Sequence, residues 1–276
     1  MLAAERQSRI VDVIRKKGSV HVDELAKELS VSPMTIRRDL VKLQQDDRIE
    51  RCHGGAMAKQ EVTYEDKLTS HKKEKEKIAR CCFSYVSEGD TVFLDAGTTT
   101  YEIARLIKDI PGILIVTNDL EIARLIKDSD AELFICGGSV QKSTGSMFGH
   151  YATQMLADFK FDAGFFGAAS INEDFEVMTP TIDKMWLKRE TPRQCRKSYL
   201  VADRSKFGRQ AMTRINTLGD YSAVITDKEF AEADLERLEH MNAVIIEAKL
   251  IFGASDRGLD SKPTKRGCRL IPIFKL

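Results

Sequence analysis

In the N-terminal part of the chain, apolar residues recur with the period of a helix. Ile10, Val13 and Ile14 share one face of a segment running from Ala3 to Lys17, which Gly18 ends. Val22, Leu25, Ala26 and Leu29 fall at i, i+3, i+4 and i+7, the stripe of a second helix. A short turn, Ser30-Val31-Ser32, then leads to Pro33. Serine is a strong N-cap and proline a good first helical residue, so a third helix starts at Pro33, with Ile36, Leu40 and Leu43 pointing inward. From Lys77 onward the pattern changes. Short apolar runs alternate with helical periodicity, which predicts βα units and a largely parallel sheet. The runs put strands at 91–95, 113–117, 132–136, 163–167, 199–202, 223–226 and 243–246, and helices near 100–109, 121–128, 152–158, 182–196 and 231–241. The octapeptide Glu-Ile-Ala-Arg-Leu-Ile-Lys-Asp occurs at 102–109 and again at 121–128, each copy after a strand and a turn. Both copies are expected to pack the same Ile/Leu face onto the sheet.

These patterns divide the chain into a helical unit at 1–58, a polar Lys/Glu-rich linker at 59–76, an α/β unit at 77–250 and a tail at 251–276. The tail is rich in Gly, Lys and Arg, with an apolar patch at 270–274; it is either disordered or an added edge element. A length of 276 residues suffices for two domains, and 31% charged residues fit a water-soluble protein. Net charge is +1, so any nucleic-acid surface has to be a local patch. No signal-peptide core follows Met1, and no run approaches the roughly 20 apolar residues of a membrane span, which predicts a cytoplasmic location. The six cysteines lack CxxC spacing and the five histidines lie apart, so the expectation is reduced thiols, no metal and no cofactor.

Two short helices joined by a tight turn, the second with a basic outer face, make a helix-turn-helix. Ser32, Pro33, Met34, Thr35, Arg37, Arg38 and Lys42 belong to that outer face or its start. Arginine near the start of such a helix binds guanine bidentately, while Lys42 suits a phosphate. The following segment, Arg48-Ile49-Glu50-Arg51-Cys52-His53-Gly54-Gly55-Ala56, is extended, basic and turned by two glycines, as in a β-hairpin wing. Arg48, Arg51 and His53 are its candidate DNA contacts. A lone basic helix face is usually just solvated; the whole series of helix, turn, Ser-Pro cap, Arg-Arg helix and basic wing points to double-stranded DNA.

In the α/β unit the strand at 91–95 ends in Asp95-Ala96-Gly97-Thr98-Thr99-Thr100 and runs straight into a helix. Backbone N–H groups and threonine hydroxyls at such a terminus favour a phosphate or another anion. Asp95, at a strand's carboxyl end, is suited to accept from sugar hydroxyls at the edge where open parallel sheets bind ligands. Thr117-Asn118-Asp119 and Gly137-Gly138-Ser139 end two further strands at the same edge. A loop with Ser143, Thr144 and Ser146 leads through Gly145 to Gly149, and Lys206 follows a later strand with a positive charge. Each of these alone also reads as capping chemistry or as a surface lysine.

Ser32-Pro33-Met34-Thr35-Ile36-Arg37-Arg38-Asp39-Leu40, with Arg51-Cys52-His53-Gly54-Gly55-Ala56, resembles the signature of DeoR-family regulators. The later motifs resemble that family's sensor domain: Asp95 to Thr100, Thr117-Asn118, Gly137-Gly138 and Asp203-Arg204-Ser205-Lys206-Phe207-Gly208. The resemblance implies a winged helix-turn-helix ahead of an α/β domain of ribose-5-phosphate-isomerase-like fold. It also implies a repressor of carbohydrate genes and a phosphorylated sugar as effector; a homodimer or homotetramer that sets two winged helices on repeated or inverted half-sites is expected. It carries effector contacts onto Asp95, Gly97, Thr98, Thr99, Thr100, Thr117, Asn118, Gly137, Gly138 and Lys206, with Asp203 beside them. The chain departs from the family at Lys184-Met185, where Glu-Ala is common before the Lys188-Arg189 pair.

An alternative is a sugar-phosphate isomerase with a DNA-binding attachment, for which Asp95 or Asp119 would have to serve as base. No catalytic residue is assigned, because Lys184 stands where a glutamate was expected and no Ser/His/Asp set exists. An RNA-binding module would want stacking aromatics near the basic face, and residues 1–58 contain no Phe, Tyr or Trp.

Overall fold

A computed structural model describes residues 2–17, 19–46, 48–52, 54–58, 64–249 and 268–270. The N-terminal part consists of α1 (Ala3–Lys17), β1 (Ser19–His21), α2 (Val22–Glu28), α3 (Pro33–Gln45), β2 (Ile49–Cys52) and β3 (Gly55–Ala58). Ile10 and Ile14 of α1, Leu25 of α2, and Ile36, Leu40 and Leu43 of α3 share one fully buried cluster. Val13 packs at its margin, and its neighbour Val11 takes the buried place instead. The strands form an antiparallel sheet in the order β1-β3-β2, in which β2 and β3 are the hairpin expected from the two glycines and β1 is an added strand. Gly55 pairs with His21 there, and a Cβ on it would lie 2.2 Å from the Val20 carbonyl, so the strands meet this closely because residue 55 has no side chain.

Next come α4 (Tyr64–Thr69), α5 (Lys72–Phe83), β4 (Thr91–Leu94), α6 (Thr98–Ile107), β5 (Leu114–Thr117), α7 (Leu120–Ile126) and β6 (Glu132–Ile135). They are followed by β7 (Ser139–Gln141), β8 (Ser146–Phe148), α8 (His150–Ala157), β9 (Phe161–Gly167), β10 (Ser170–Ile171) and β11 (Glu176–Thr179). The chain continues through α9 (Met185–Glu190), β12 (Cys195–Val201), β13 (Thr213–Thr217), β14 (Ala223–Thr226), α10 (Glu232–His240), β15 (Ile245–Ala248) and β16 (Cys268–Leu270). The main sheet runs β16-β15-β14-β12-β9-β4-β5-β6 and is parallel except for the antiparallel β16.

Alternation along the strands assigns the two faces. Val92, Leu94, Ile115, Tyr199, Val201 and Ile225 pack with α5, α6 and α7. Phe93, Val116, Leu200 and Val224 pack with α8, α9 and α10 on the other side. Both octapeptide copies lie on the first face, burying Ile103, Ala104 and Ile107 in α6 and Ile122, Ala123 and Ile126 in α7.

The structure departs from the expectations drawn from the sequence at several points. The helix expected over 182–196 is broken: a single turn at Ile182–Lys184 precedes α9, and a second at Thr191–Gln194 contains Pro192. β12 therefore starts at Cys195, because proline at 192 lacks the N–H that would continue the helix. The glycine loop at 145–149 contains β8, paired with β7 as a hairpin. The last parallel strand is shifted two residues towards the C-terminus. Finally, Cys81 and Cys268 form a disulfide joining α5 to edge strand β16, against the expectation of reduced thiols, whereas Cys82, Cys136 and Cys195 are free. Beyond 268–270, the tail lies outside the described residues. Among the described residues, no helix is long and apolar enough to cross a membrane.

Candidate functional sites

The first site is the outer face of α3. Ser32 caps the helix, its Oγ accepting from the Thr35 N–H at 3.1 Å and lying 2.9 Å from the Thr35 hydroxyl, with Pro33 next in line. Ile36, Leu40 and Leu43 are fully buried, and this fixes the rotation of the helix. Met34, Arg37, Arg38 and Lys42 are consequently exposed and Thr35 half-buried. Arg48 is exposed just before the wing, and Arg51 belongs to β2. His53 lies outside the described residues. A residue not singled out in the sequence holds the arrangement: Asp39 is buried in the inner stripe of α3. It accepts from Arg6 Nε at 2.6 Å and from Gln7 Nε2 at 2.9 Å, both on α1. The signal was present, because 36, 39, 40 and 43 form one i, i+3, i+4, i+7 series and an acid inside it requires a partner.

The second site lies where the strand order reverses, between β4 and β9, at the carboxyl ends of the strands; open α/β sheets form a crevice there. Asp95 is fully buried. Its Oδ2 accepts from the Gly167 N–H at 3.1 Å, across the reversal, and from the Lys188 ammonium. Lys188 also donates to the Gly167 carbonyl at 3.1 Å. Asp95 Oδ1 is buried with no partner among the described residues. Lys188 came from a motif noted in the sequence, but only the fold of α9 against β9 brings it to Asp95.

The turn after Asp95 is held from within. Thr100 Oγ1 donates towards the carbonyls of Asp95 (2.6 Å) and Gly97 (2.8 Å). Asn118 Oδ1 accepts from Ala96 N (2.8 Å), and Asp119 Oδ2 accepts from Gly97 N (3.0 Å). Thr117 Oγ1 donates to the Leu94 carbonyl at 2.7 Å, so Thr117 and Asn118 act on the turn itself. The first helical bond of α6 is Tyr101 N to Gly97 O, which leaves the N–H groups of Thr98, Thr99 and Thr100 ahead of it. The hydroxyls of Thr98 and Thr99 have no partner among the described residues. Asp119 also caps α7, accepting from Glu121 N (2.8 Å) and Ile122 N (3.0 Å). Burial raises its pKa to about 6 against the pull of those three N–H groups, helped by the neighbouring charge of Asp95.

The segment from Cys136 to β8 adjoins this group, with Cys136 N donating to Thr117 O at 3.0 Å and Asn118 Nδ2 donating to Met147 O at 3.1 Å. Gly138, at φ +137°, has the Phe148 carbonyl 2.4 Å from where a Cβ would be, so it serves the hairpin's approach, and Gly137 is exposed beside it. Lys206 follows β12 and shares its surroundings with Asp203 and Lys75. Lys75 is a buried lysine whose ammonium donates to the carbonyls of Lys67 and Ser70, and burial followed by the Lys206 charge lowers its pKa to about 8. Lys184, the departure from the family pattern, is buried and donates to Gln141 Oε1 of the hairpin. Among the described residues no group of three or more His, Cys, Asp or Glu side chains is arranged to hold a metal.

A winged helix-turn-helix ahead of an α/β domain with a polar crevice at its sheet's reversal point defines a DNA-binding protein with a ligand-type domain behind its reader. Comparison with known families narrows this. The DeoR-like helix-turn-helix domain matches residues 6–62, and the DeoR C-terminal sensor domain matches residues 70–228. The chain belongs to the DeoR family and is a transcriptional regulator rather than an enzyme. It is 32% identical to the glycerol-3-phosphate regulon repressor of Escherichia coli K12, over 82% of this chain and 92% of that one. It is 29% identical to the lactose phosphotransferase system repressor of Staphylococcus aureus, over 87% of this chain and 97% of that one. Among solved structures, ribose 5-phosphate isomerase A of Methanocaldococcus jannaschii matches at 14% identity and a TM-score of 0.37, over 50% of this chain and 55% of that one.

Proposed function

We propose that the protein represses carbohydrate genes by binding operator DNA through α3 and the wing, and that a phosphorylated sugar or polyol at the Asp95–Thr100 turn controls the binding. In this reading residues 1–58 are the reader, 59–76 the linker and 77–250 the sensor. Arg37 and Arg38 meet base edges; Lys42, Arg48 and Arg51 meet phosphates. The ligand's phosphate accepts from the free N–H and hydroxyl groups of Thr98 and Thr99, and its hydroxyls donate to Asp95. The observation that carries this is chemical: a fully buried carboxylate oxygen without a donor stands beside a helix start whose donors lack acceptors. A molecule with hydroxyls at one end and phosphate at the other satisfies both. The relatives' names, which specify glycerol 3-phosphate and a sugar phosphotransferase system, support the same ligand class. A homodimer or homotetramer in the cytoplasm, with two readers on repeated half-sites, completes the reading.

The DNA part is tested with Arg38→Ala in the full-length protein against DNA from upstream of its own gene. Loss of about 1–3 kcal/mol in affinity, with relaxed preference at one base position, is expected if Arg38 reads a base. Unchanged affinity and selectivity would remove Arg38 from the interface.

A further inference from the structure

Tyr64 opens α4, the first described element after the wing strand β3. Its side chain is only 9% exposed, and its hydroxyl is buried with no hydrogen-bond partner among the described residues. Its surroundings belong to the helix starts that follow β4 and β5. The Tyr64 N–H donates to the Ser143 carbonyl at 3.0 Å, in the loop that continues to Gly145 and Ser146. That loop crosses the start of α7, where Leu120 N donates to Gly145 O at 3.1 Å and Asp119 bridges to Ser146. On its other side, the Tyr64 ring meets Tyr101 edge-on at 6.3 Å, and Tyr101 directly follows Thr98, Thr99 and Thr100 in α6. The Tyr64 ring thus lies against α6 at Tyr101, while its backbone is tied to the loop that crosses the start of α7, and Asp119 and Glu121 of that start are close enough to act on the phenol electrostatically.

The charges near it are already engaged. Asp119 accepts from three backbone N–H groups, Glu102 is paired with Arg105 at 2.8 Å, and Glu121 lies at 4.0 Å from Arg124. Burial, followed by the Asp119, Tyr101, Glu121 and Glu102 charges, pushes the phenol's pKa well upward, so the group keeps its proton. It is a donor that lacks an acceptor, and leaving such a group unpaired costs free energy that an incoming acceptor recovers.

We propose that the Tyr64 hydroxyl is a ligand group of the effector site, donating to the phosphate held by Thr98 and Thr99. This rests on the effector reading above. It adds that the ligand is gripped by a residue of the segment leading to the DNA reader, so occupancy adds a hydrogen bond to the contacts that already hold the start of α4 on the sensor. The link between ligand and reader is then one hydrogen bond rather than a displacement relayed through the sheet.

The test uses full-length protein with inorganic phosphate as the probe, followed by calorimetric titration and thermal unfolding. Three proteins are compared: wild type, Tyr64→Phe and Thr98→Ala/Thr99→Ala. Tyr64→Phe keeps the ring and removes only the oxygen. It should weaken phosphate binding about tenfold, the worth of a hydrogen bond to a charged acceptor. Its melting temperature without phosphate should equal or exceed that of the wild type, because an unpartnered group has been removed. The double threonine variant should lose phosphate binding. Wild-type binding by Tyr64→Phe, with binding lost in the threonine variant, overturns the role of Tyr64 and leaves the effector site standing. A lowered melting temperature for phosphate-free Tyr64→Phe also overturns it, since the hydroxyl would then have a partner in the free protein. Absence of binding by the wild type, or equal binding by the threonine variant, overturns the effector reading and this inference with it.

Discussion

Asp119 is where the crevice carries its clearest electrostatic cost. Its carboxyl has an ordinary value of 3.8 and is held at about 6 by burial, with three backbone N–H groups opposing the shift. A carboxyl whose folded value exceeds its unfolded value stabilises the fold fully below the unfolded value, and that contribution is lost as pH rises through the folded value. The window therefore runs from 3.8 to about 6, and the shift corresponds to about 3 kcal/mol. Asp119→Asn does not titrate. Between about pH 4 and pH 7 the stability of the wild type should fall by about 3 kcal/mol relative to the variant, read from urea unfolding at each pH. Parallel stability curves would show that the carboxyl is not held up in this way. The residues legible from sequence were those whose neighbours in the chain define what they do, as with Ser32 before Pro33 and Thr98 to Thr100 after a strand. Asp39, Lys188 and Tyr64 find their partners 32 or more positions away in the chain, or in a crevice closed by distant elements, so sequence spacing gives no geometry for them.

The elements differ in how far local chemistry determines them. α3 starts where its cap dictates, so Ser32→Ala should cost about 1 kcal/mol, seen as faster hydrogen exchange of the first-turn amides around Thr35. Unchanged exchange would mean that tertiary packing alone defines the start of the helix. The wing, the parallel strands and both octapeptide helices are also readable, because periodicity and glycine placement agree with the final packing. The missed strands β1, β7, β8, β10, β11 and β13 are two to five residues long. Segments that short carry little alternation, and they exist through their partners in three small antiparallel sheets. The run at 182–196 has helical periodicity, but Pro192 stops it, and the proline was visible in the sequence. β16 pairs with β15, and its Cys268 is bonded to Cys81, 187 positions away in the chain, which spacing alone does not reveal.

In the assembled chain, a reader with its own core precedes a sheet whose strand order reverses at Asp95. The fold class was legible because reader and sheet have distinct periodicities, and the family signature added the kind of ligand. The crevice was only half legible, because its carboxylate and cation, Asp95 and Lys188, are brought together by contacts between β4, β9 and α9. The central claim is that a phosphorylated ligand at the start of α6 governs DNA affinity. The direct measurement is the affinity of full-length protein for its own upstream DNA, by fluorescence anisotropy, across a panel of sugar and polyol phosphates, for wild type and Thr98→Ala/Thr99→Ala. The account predicts that at least one ligand shifts the wild-type affinity by about tenfold or more, while the variant binds DNA normally and ignores that ligand. A variant that responds as the wild type does, or a wild type indifferent to the whole panel, would contradict it.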